Sequence, residues 1–301
     1  MPVLIPVQYG RMRYPNPIHP HLVEVPGHFD KEAIPTGLQR YSLHTEYSAG
    51  ERAWSGNLIK RFATLLRSQT RGIPRLWTSS LWAREFAEFV SALVADNAAP
   101  DFCEIHPPFR KDCTDMDRFL DLVFEFQSAL PARLSNMKVG VENRHGTRLA
   151  NRFLVSTADD VVGLGRSIGR TGSTLMMVLD VPQLLHGEGI DPARASADEI
   201  AGVLDSLRPV VDKVAGIHLW ARSRRGGTHV ADLDEYFGGR TTVKEAFFRT
   251  LARLLDDGHH RYFVPEVNYG KSDAIEPMVR DLQAVGFEFT GPDDRDAYAG
   301  V

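Results

Sequence analysis

Six short apolar runs of this 301-residue chain each end on a side chain that binds divalent metal ions well. Packing alone would favour Val or Ile at these positions, because a buried carboxylate without a partner is strongly destabilising. Six imidazoles and carboxylates at successive strand ends would repel one another or take up protons unless cations lay between them. The pattern predicts a metalloenzyme with the ligands His44, His106, Glu142, Asp180, His218 and Glu266.

The predicted donor set contains imidazole nitrogen and carboxylate oxygen but no thiolate. Such a set suits Zn²⁺, Mn²⁺ or a similar divalent ion. Any one of these residues could equally be a buried partner of a neighbouring side chain. The prediction therefore depends on the joint pattern and not on a single member.

Strand-like runs alternate with helical patterns along nearly the whole chain, and this alternation predicts a parallel sheet. The expected strands are Val3 to Val7, Tyr41 to His44, residues 102–106, 138–142, 175–180, 214–218 and 262–266, and Phe287 to Phe289. Eight such units favour a (β/α)₈ TIM barrel, in a single domain over residues 1–301. The Pro- and His-rich stretch from Tyr14 to Gly37 is expected to be an extended surface loop.

Amphipathic periodicity predicts the helices between these strands. They are Leu58 to Leu66, Trp82 to Val94, Met116 to Leu130, Ala158 to Ile168, Ala197 to Val211, Val243 to Leu255 and Ala274 to Val285. Ser196 and Glu199 predict a capping box at the start of one of them. Catalytic groups of a TIM barrel lie at the carboxyl ends of its strands, where all six predicted ligands fall, on expected strands two to seven.

Composition excludes several classes of protein. The net charge of −4 argues against sequence-independent binding to nucleic acid through a strongly basic face. Two cysteines, Cys103 and Cys113, do not predict a disulfide framework. Neither a signal peptide nor an apolar segment of membrane-spanning length is visible, so we expect a cytoplasmic protein without a membrane partner.

The order of the ligands resembles that of the xylose isomerase-like barrel superfamily, and in particular its endonuclease IV (apurinic endonuclease family two) branch. The resemblance runs from Tyr41 to Asn268. The strings that carry it are Leu43-His44, Ile105-His106-Pro107, Val141-Glu142-Asn143, Leu179-Asp180, Ile217-His218-Leu219, Thr228-His229 and Pro265-Glu266. Each string is short, and their order and spacing carry the resemblance.

In the endonuclease branch three zinc ions are bound. The resemblance implies that His44 and His106 hold the first ion, with Glu142 bridging to a second. The coordination of the second ion would be completed by Asp180, His218 and Glu266. The third needs a His where this chain has Gln183 and an Asp-x-His where it has Gly227-Thr228-His229. Only His229 remains of that set, which argues against abasic-site cleavage and leaves a two-metal centre.

Two metal ions about 3.5–4 Å apart could activate water and stabilise a leaving alkoxide in a phosphoester hydrolase. Glu142 and Glu266 would be catalytic, with His145 as a candidate acid. Arginine side chains suit phosphate oxygens, although a solvated basic loop would look the same in sequence. The predicted substrate-binding residues are Arg144, Gln183, Arg222, Arg224 and Arg225. The expected partner is a phosphate-containing substrate, nucleic acid included.

The sugar isomerase and epimerase branch of the superfamily implies an alternative. There one divalent ion would be held by Glu142, Asp180, His218 and Glu266, and the two glutamates would move a proton on a small sugar. His44 and His106 would then contact substrate. The extra histidines and the arginine loop favour hydrolysis, whereas the missing third-metal ligands keep isomerisation open. A barrel that only binds a ligand is the third interpretation. The sequence indicates neither the substrate nor the oligomeric state.

Overall fold

The computed structural model describes residues 1–48, 50–51, 56–146, 152–222, 228–230, 232–267 and 275–290. Its strands are β1 (Val3–Gln8), β2 (Leu22–Gly27), β3 (Tyr41–Thr45), β4 (Gln69–Thr70), β5 (Ile73–Pro74), β6 (Phe102–Ile105), β7 (Lys138–Glu142), β8 (Met176–Asp180), β9 (Val214–Leu219), β10 (Ala221–Arg222), β11 (Thr228–Val230), β12 (His260–Pro265) and β13 (Glu288–Phe289). Its α-helices are α1 (Ala63–Arg67), α2 (Ser80–Leu93), α3 (Met116–Ala129), α4 (Ala158–Thr171), α5 (Val181–Gly187), α6 (Ala197–Asp205), α7 (Leu233–Tyr236), α8 (Thr241–Leu255) and α9 (Glu276–Ala284).

The main sheet has the strand order of a (β/α)₈ barrel. Among the described residues, eight strands follow one another in the order β12-β9-β8-β7-β6-β3-β2-β1, and β12 also pairs with β1. The pairs β1–β2, β1–β12, β3–β6, β6–β7, β8–β9 and β9–β12 are parallel. Helices lie between most of these strands in the chain. The predicted TIM-barrel fold class is confirmed.

Strand β2 corrects the sequence prediction, because it lies inside the stretch that was expected to be a surface loop. Leu22, Glu24, Val25 and Gly27 of this strand are buried, whereas its remaining two residues are exposed. Neighbouring prolines and the buried Glu24 hid this strand from a reading based on apolar runs. Consequently the predicted ligands lie on the third to eighth barrel strands, and β13 is an additional short strand paired with the start of β1.

Most predicted helices are present with small shifts at their ends. The predicted helix from Leu58 to Leu66 is broken at Phe62, with a 3₁₀ turn before it and α1 after it. The helix expected to reach Val211 ends at Asp205, and a 3₁₀ segment follows. The capping box of Ser196 and Glu199 is confirmed. Among the described residues, no helix is long and apolar enough to cross a membrane.

The chain divides into two compact units. Unit 1 comprises Met1–Glu24, Thr157–Val162 and Met177–Val301, and unit 2 comprises Val25–Ser156 and Gly163–Met176. Unit 2 has an aromatic core in which Trp77 contacts the rings of Trp82, Phe86, Phe119 and Phe126. Cys103 and Cys113 are buried free thiols. The single domain over 1–301 stays a prediction.

In unit 1 the buried Arg261 fixes the start of β12, the strand that leads to Glu266. Its guanidinium donates hydrogen bonds to the carbonyl oxygens of Val214, Leu255, His259 and Val211. It also binds both carboxylate oxygens of Asp257, at 2.8 and 2.6 Å. Burial acts to raise the pKa of Asp257, but these bonds lower it below its ordinary value. Arg261 thereby ties β12 to the start of β9 and the end of α8.

We expect Arg261→Met to lower the free energy of unfolding by about 3–5 kcal/mol, because a buried ion pair loses one partner. The matched control is Arg253→Met, since Arg253 forms an exposed ion pair with Asp205 and should contribute less than about 1 kcal/mol. Urea denaturation measures both. Equal losses in the two variants would contradict the structural role of Arg261.

Candidate metal centre

Four buried side chains of unit 2 each bring a potential ligand atom to within 4.8 Å of the others. We call this group the four-donor cluster; it consists of His44, Glu104, His106 and Glu142. The two Nε2 atoms of His44 and His106 are 3.1 Å apart. Glu142 Oε2 lies 2.8 Å from His106 Nε2 and 3.5 Å from His44 Nε2. Glu104 Oε1 lies 3.5 Å from His44 Nε2.

The register of three parallel strands brings these residues together. His44 on β3 lies directly beside Glu104 on β6, and Glu104 lies beside Gly140 on β7. Side chains two residues apart on an extended strand point to the same face. Glu104 therefore shares its face with His106, and Gly140 shares its face with Glu142. The cluster is a direct consequence of the strand pairing.

The tautomer of His106 leaves a lone pair aimed into the cluster. Its Nδ1 lies 3.2 Å from the carbonyl oxygen of Glu46, which can only accept, so Nδ1 carries the hydrogen. Burial lowers the pKa of His106 to about 4, although the Glu142 carboxylate acts to raise it. The ring is therefore neutral at pH 7, and its Nε2 lone pair faces a carboxylate oxygen. A shared proton could satisfy one of these contacts, whereas a divalent cation satisfies all four donors.

The donor chemistry of the cluster fits a divalent ion. Two ionised carboxylates with two neutral imidazoles would carry a charge of about −2, which one such ion balances. Zinc bonds of about 2.0–2.2 Å in tetrahedral geometry place the ligand atoms roughly 3.3–3.6 Å apart. The contacts within the cluster are 3.1, 2.8, 3.5 and 3.5 Å long. The cluster therefore has the composition and the size of a four-ligand site.

Sequence analysis missed Glu104 because it lies within an apolar run and not at the end of one. The available signal was its position two residues before His106, which places both side chains on one face of the strand. Its side chain is only 4% exposed. Three of the four members of the cluster were predicted, and the fourth is this glutamate.

Neighbouring groups hold His106 in place. Trp77 Nε1 donates a 2.6 Å hydrogen bond to the carbonyl oxygen of His106, and Trp77 adopts a φ of +59°, which is uncommon for a side chain of this size. The Glu46 carboxylate accepts hydrogen bonds from the backbone N–H groups of Phe29 and Tyr47, at 2.8 and 3.0 Å. These bonds fix the carbonyl that binds His106 Nδ1. Such supporting contacts orient the ligands of metal sites.

The other three predicted ligands lie in unit 1 at the carboxyl ends of β8, β9 and β12. We call Asp180, His218 and Glu266 the three-donor set. Asp180 and His218 are direct neighbours in the β8–β9 register, and His218 Nδ1 lies 3.4 Å from Glu266 Oε1. Trp220 Nε1 donates hydrogen bonds to both Asp180 oxygens, at 3.1 and 3.0 Å. The indole thus orients a carboxylate that is fully buried.

Gln183 and His229, the two positions of the predicted third-metal region that the structure describes, border the three-donor set. The backbone N–H of Gln183 donates to Asp180 Oδ1 at 2.9 Å, which caps α5. His229 Nε2 lies 3.6 Å from Glu266 Oε2, and its ring stacks on Trp220 with centroids 4.4 Å apart. Stacking on the indole therefore directs His229 towards Glu266.

The remaining predicted site residues follow β7 and β9. Arg144 lies over the Tyr47 ring, and its charge acts to lower the pKa of His106. His145 is half-buried in the same loop. The side chain of Arg222, and the whole of Arg224 and Arg225, lie outside the described residues. Their predicted contacts with substrate, like that of Gln183, stay predictions.

Comparison with known proteins gives likenesses of fold only. No protein-family model and no curated protein sequence matches the chain. A D-psicose 3-epimerase from Clostridium cellulolyticum H10 is 12% identical over 99% of this chain and 96% of that chain, with a TM-score of 0.42. A 3-keto-D-glucoside 4-epimerase from E. coli is 11% identical over 94% of this chain and 98% of that chain, with a TM-score of 0.43.

A xylose isomerase domain protein from Alicyclobacillus acidocaldarius is 14% identical over 83% of this chain and 90% of that chain, with a TM-score of 0.38. The chain is similar to epimerases and to a xylose isomerase domain protein. Likenesses at this level do not indicate which reaction the chain catalyses. The endonuclease IV branch stays a prediction.

We expect His106→Ala to lose one divalent ion per chain, because the cluster then lacks the nitrogen that contacts both His44 and Glu142. Purified protein is loaded with Zn²⁺, dialysed and analysed by elemental mass spectrometry. His19→Ala, which removes an exposed imidazole, is the control and should keep the wild-type content. An unchanged zinc content in His106→Ala would show that the cluster binds no metal.

Proposed function

We propose that this chain is a divalent-metal-dependent enzyme that isomerises or epimerises a sugar or a related compound with a carbonyl next to a hydroxyl group. The observation that carries the proposal is the number of donors in each unit. The members of the four-donor cluster have ligand atoms within 4.8 Å of one another, whereas the three-donor set is linked by the β8–β9 register and by the contact of His218 with Glu266. Four protein ligands are typical of a closed structural site, whereas three leave a position for substrate. One open ion is sufficient for isomerisation.

Glu104 changes the interpretation of the two histidines. The sequence favoured hydrolysis because His44 and His106 next to Glu142 suggested a second catalytic ion. With Glu104 as fourth donor, the same histidines complete a closed set instead. His106 is also fully buried, so it is a poor candidate for the direct substrate contact that the isomerase alternative assigned to it.

The three-donor set has the groups that proton transfer requires. Bound to Asp180, His218 and Glu266, a divalent ion would polarise the substrate carbonyl and lower the pKa of the adjacent C–H. Glu266 would remove the proton and, in an isomerisation, return it to the neighbouring carbon, because its carboxylate is buried and lies close to both His218 and His229. Inversion at the same carbon would require a second acid on the opposite face.

Epimerisation, one of the two proposed reactions, is also the reaction for which the two similar structures above are named. At TM-scores of 0.42 and 0.43 that agreement has no weight of its own. The proposal therefore depends on the donor sets of this chain.

We expect Glu266→Gln to reduce turnover at least about a hundredfold, because the amide cannot accept the proton. The assay follows deuterium uptake from D₂O, by NMR, at the carbon next to the carbonyl in a panel of ketoses, aldoses and their phosphates. Glu276→Gln, at the exposed start of α9, is the control and should retain full activity. Unchanged exchange in Glu266→Gln, with native circular dichroism, would reject the proposed role of Glu266.

Phosphoester hydrolysis is the second candidate, and one observation favours it. Glu142 Oε2 faces both imidazoles of the cluster, and the second oxygen of such a carboxylate commonly bridges to another ion. Bis(4-nitrophenyl) phosphate distinguishes the candidates. The isomerase proposal predicts no cleavage by the zinc-loaded protein. Cleavage that is lost in His106→Ala would instead favour the hydrolase.

A further inference from the structure

Arg144 lies in the loop that follows β7, and its side chain is held by two aromatic rings. Its guanidinium carbon lies 4.4 Å from the centroid of the Tyr47 ring and 6.0 Å from that of Phe153. Phe153 is buried and stacks on Phe109, with centroids 4.6 Å apart. The backbone N–H of Arg144 donates to the carbonyl oxygen of Val155 at 2.9 Å. Backbone and side chain are therefore both held, so the guanidinium is preorganised.

The charge of Arg144 has no counter-ion among the described residues. Its Nε is buried and has no hydrogen-bond partner there. Four other arginines of unit 2 are each paired with a carboxylate. These pairs are Arg40 with Asp101, Arg75 with Asp112, Arg84 with Glu125 and Arg170 with Asp117. A half-buried guanidinium with an open donor is unfavourable in the free protein and is stabilised by any oxyanion that reaches it.

Arg144 also lies close to the four-donor cluster. The chain places it two residues after Glu142, and the Tyr47 ring that it covers lies 5.5 Å from the His106 ring. A divalent ion bound in the cluster would balance its two carboxylates, which would then not neutralise Arg144. The net positive charge at this end of β7 is then that of the guanidinium.

We propose that Arg144 binds an oxyanion group of the substrate, a phosphate or a carboxylate, in a subsite backed by Tyr47 and Phe153. This inference rests on the proposed function and narrows it: the substrate is a sugar phosphate or a sugar acid and not a neutral sugar. The planar fork of arginine matches both oxyanions in bidentate geometry. Lysine at this position would keep the charge but not the fork.

Anion binding tests the subsite without requiring turnover. Isothermal titration of zinc-loaded protein at low ionic strength uses inorganic phosphate and acetate as probes. We expect the wild type to bind at least one of them, Arg144→Gln to bind it at least about tenfold more weakly, and Arg144→Lys to fall between the two. The control is Arg118→Gln, an exposed residue of α3. Equal binding by wild type and Arg144→Gln, or no binding by the wild type, overturns the proposal. Zinc content is measured in every variant.

A second measurement separates this inference from the proposed function. Deuterium exchange is compared for fructose, fructose 6-phosphate and glucuronate. We expect exchange with an anionic compound only, and a KM at least about tenfold higher in Arg144→Gln. Exchange with neutral fructose at the same KM in both proteins overturns the subsite while the isomerase stands. Exchange with none of these or the wider panel, together with anion binding lost in Arg144→Gln, rejects the isomerase while the subsite stands.

Discussion

The 2.8 Å contact between the Nε2 of a fully buried, neutral His106 and a carboxylate oxygen of Glu142 is the constraint on which the structure depends. Two acceptors cannot remain at this distance away from water unless a cation or a proton lies between them. His44 and Glu104 add two further donors to the same small volume. A divalent ion would satisfy all of them, and the pairing of three neighbouring strands is what brings these donors together.

This cluster and the three-donor set make different chemical contributions. The cluster is supported from outside by Trp77 and Glu46, which fix the backbone and the tautomer of His106. The three-donor set is supported by Trp220, which orients Asp180, while His229 lies beside Glu266. A closed set stabilises charge and structure, whereas an open set can bind substrate. The proposed proton transfer at Glu266 depends on the open set, and the proposed anion subsite depends on the contacts of Arg144 with Tyr47 and Phe153.

Much of the fold and part of the site could be predicted from the sequence. The six candidate ligands were visible because each ends an apolar run, and strand alternation with helices indicated the barrel. Strand β2 was hidden because Pro26 and Glu24 interrupt its apolar pattern. Glu104 was hidden because it lies inside a run, and the contact between Arg144 and Tyr47 joins loops almost a hundred residues apart in the chain. Local patterns contain no information about such long-range contacts.

Anomalous diffraction at the zinc absorption edge, from crystals grown with Zn²⁺, tests the central claim most directly. The account predicts a peak among His44 Nε2, His106 Nε2, Glu104 and Glu142, about 2.0–2.2 Å from each ligand atom. A map without a peak there, with the four side chains instead bonded to one another through protons, would contradict the account.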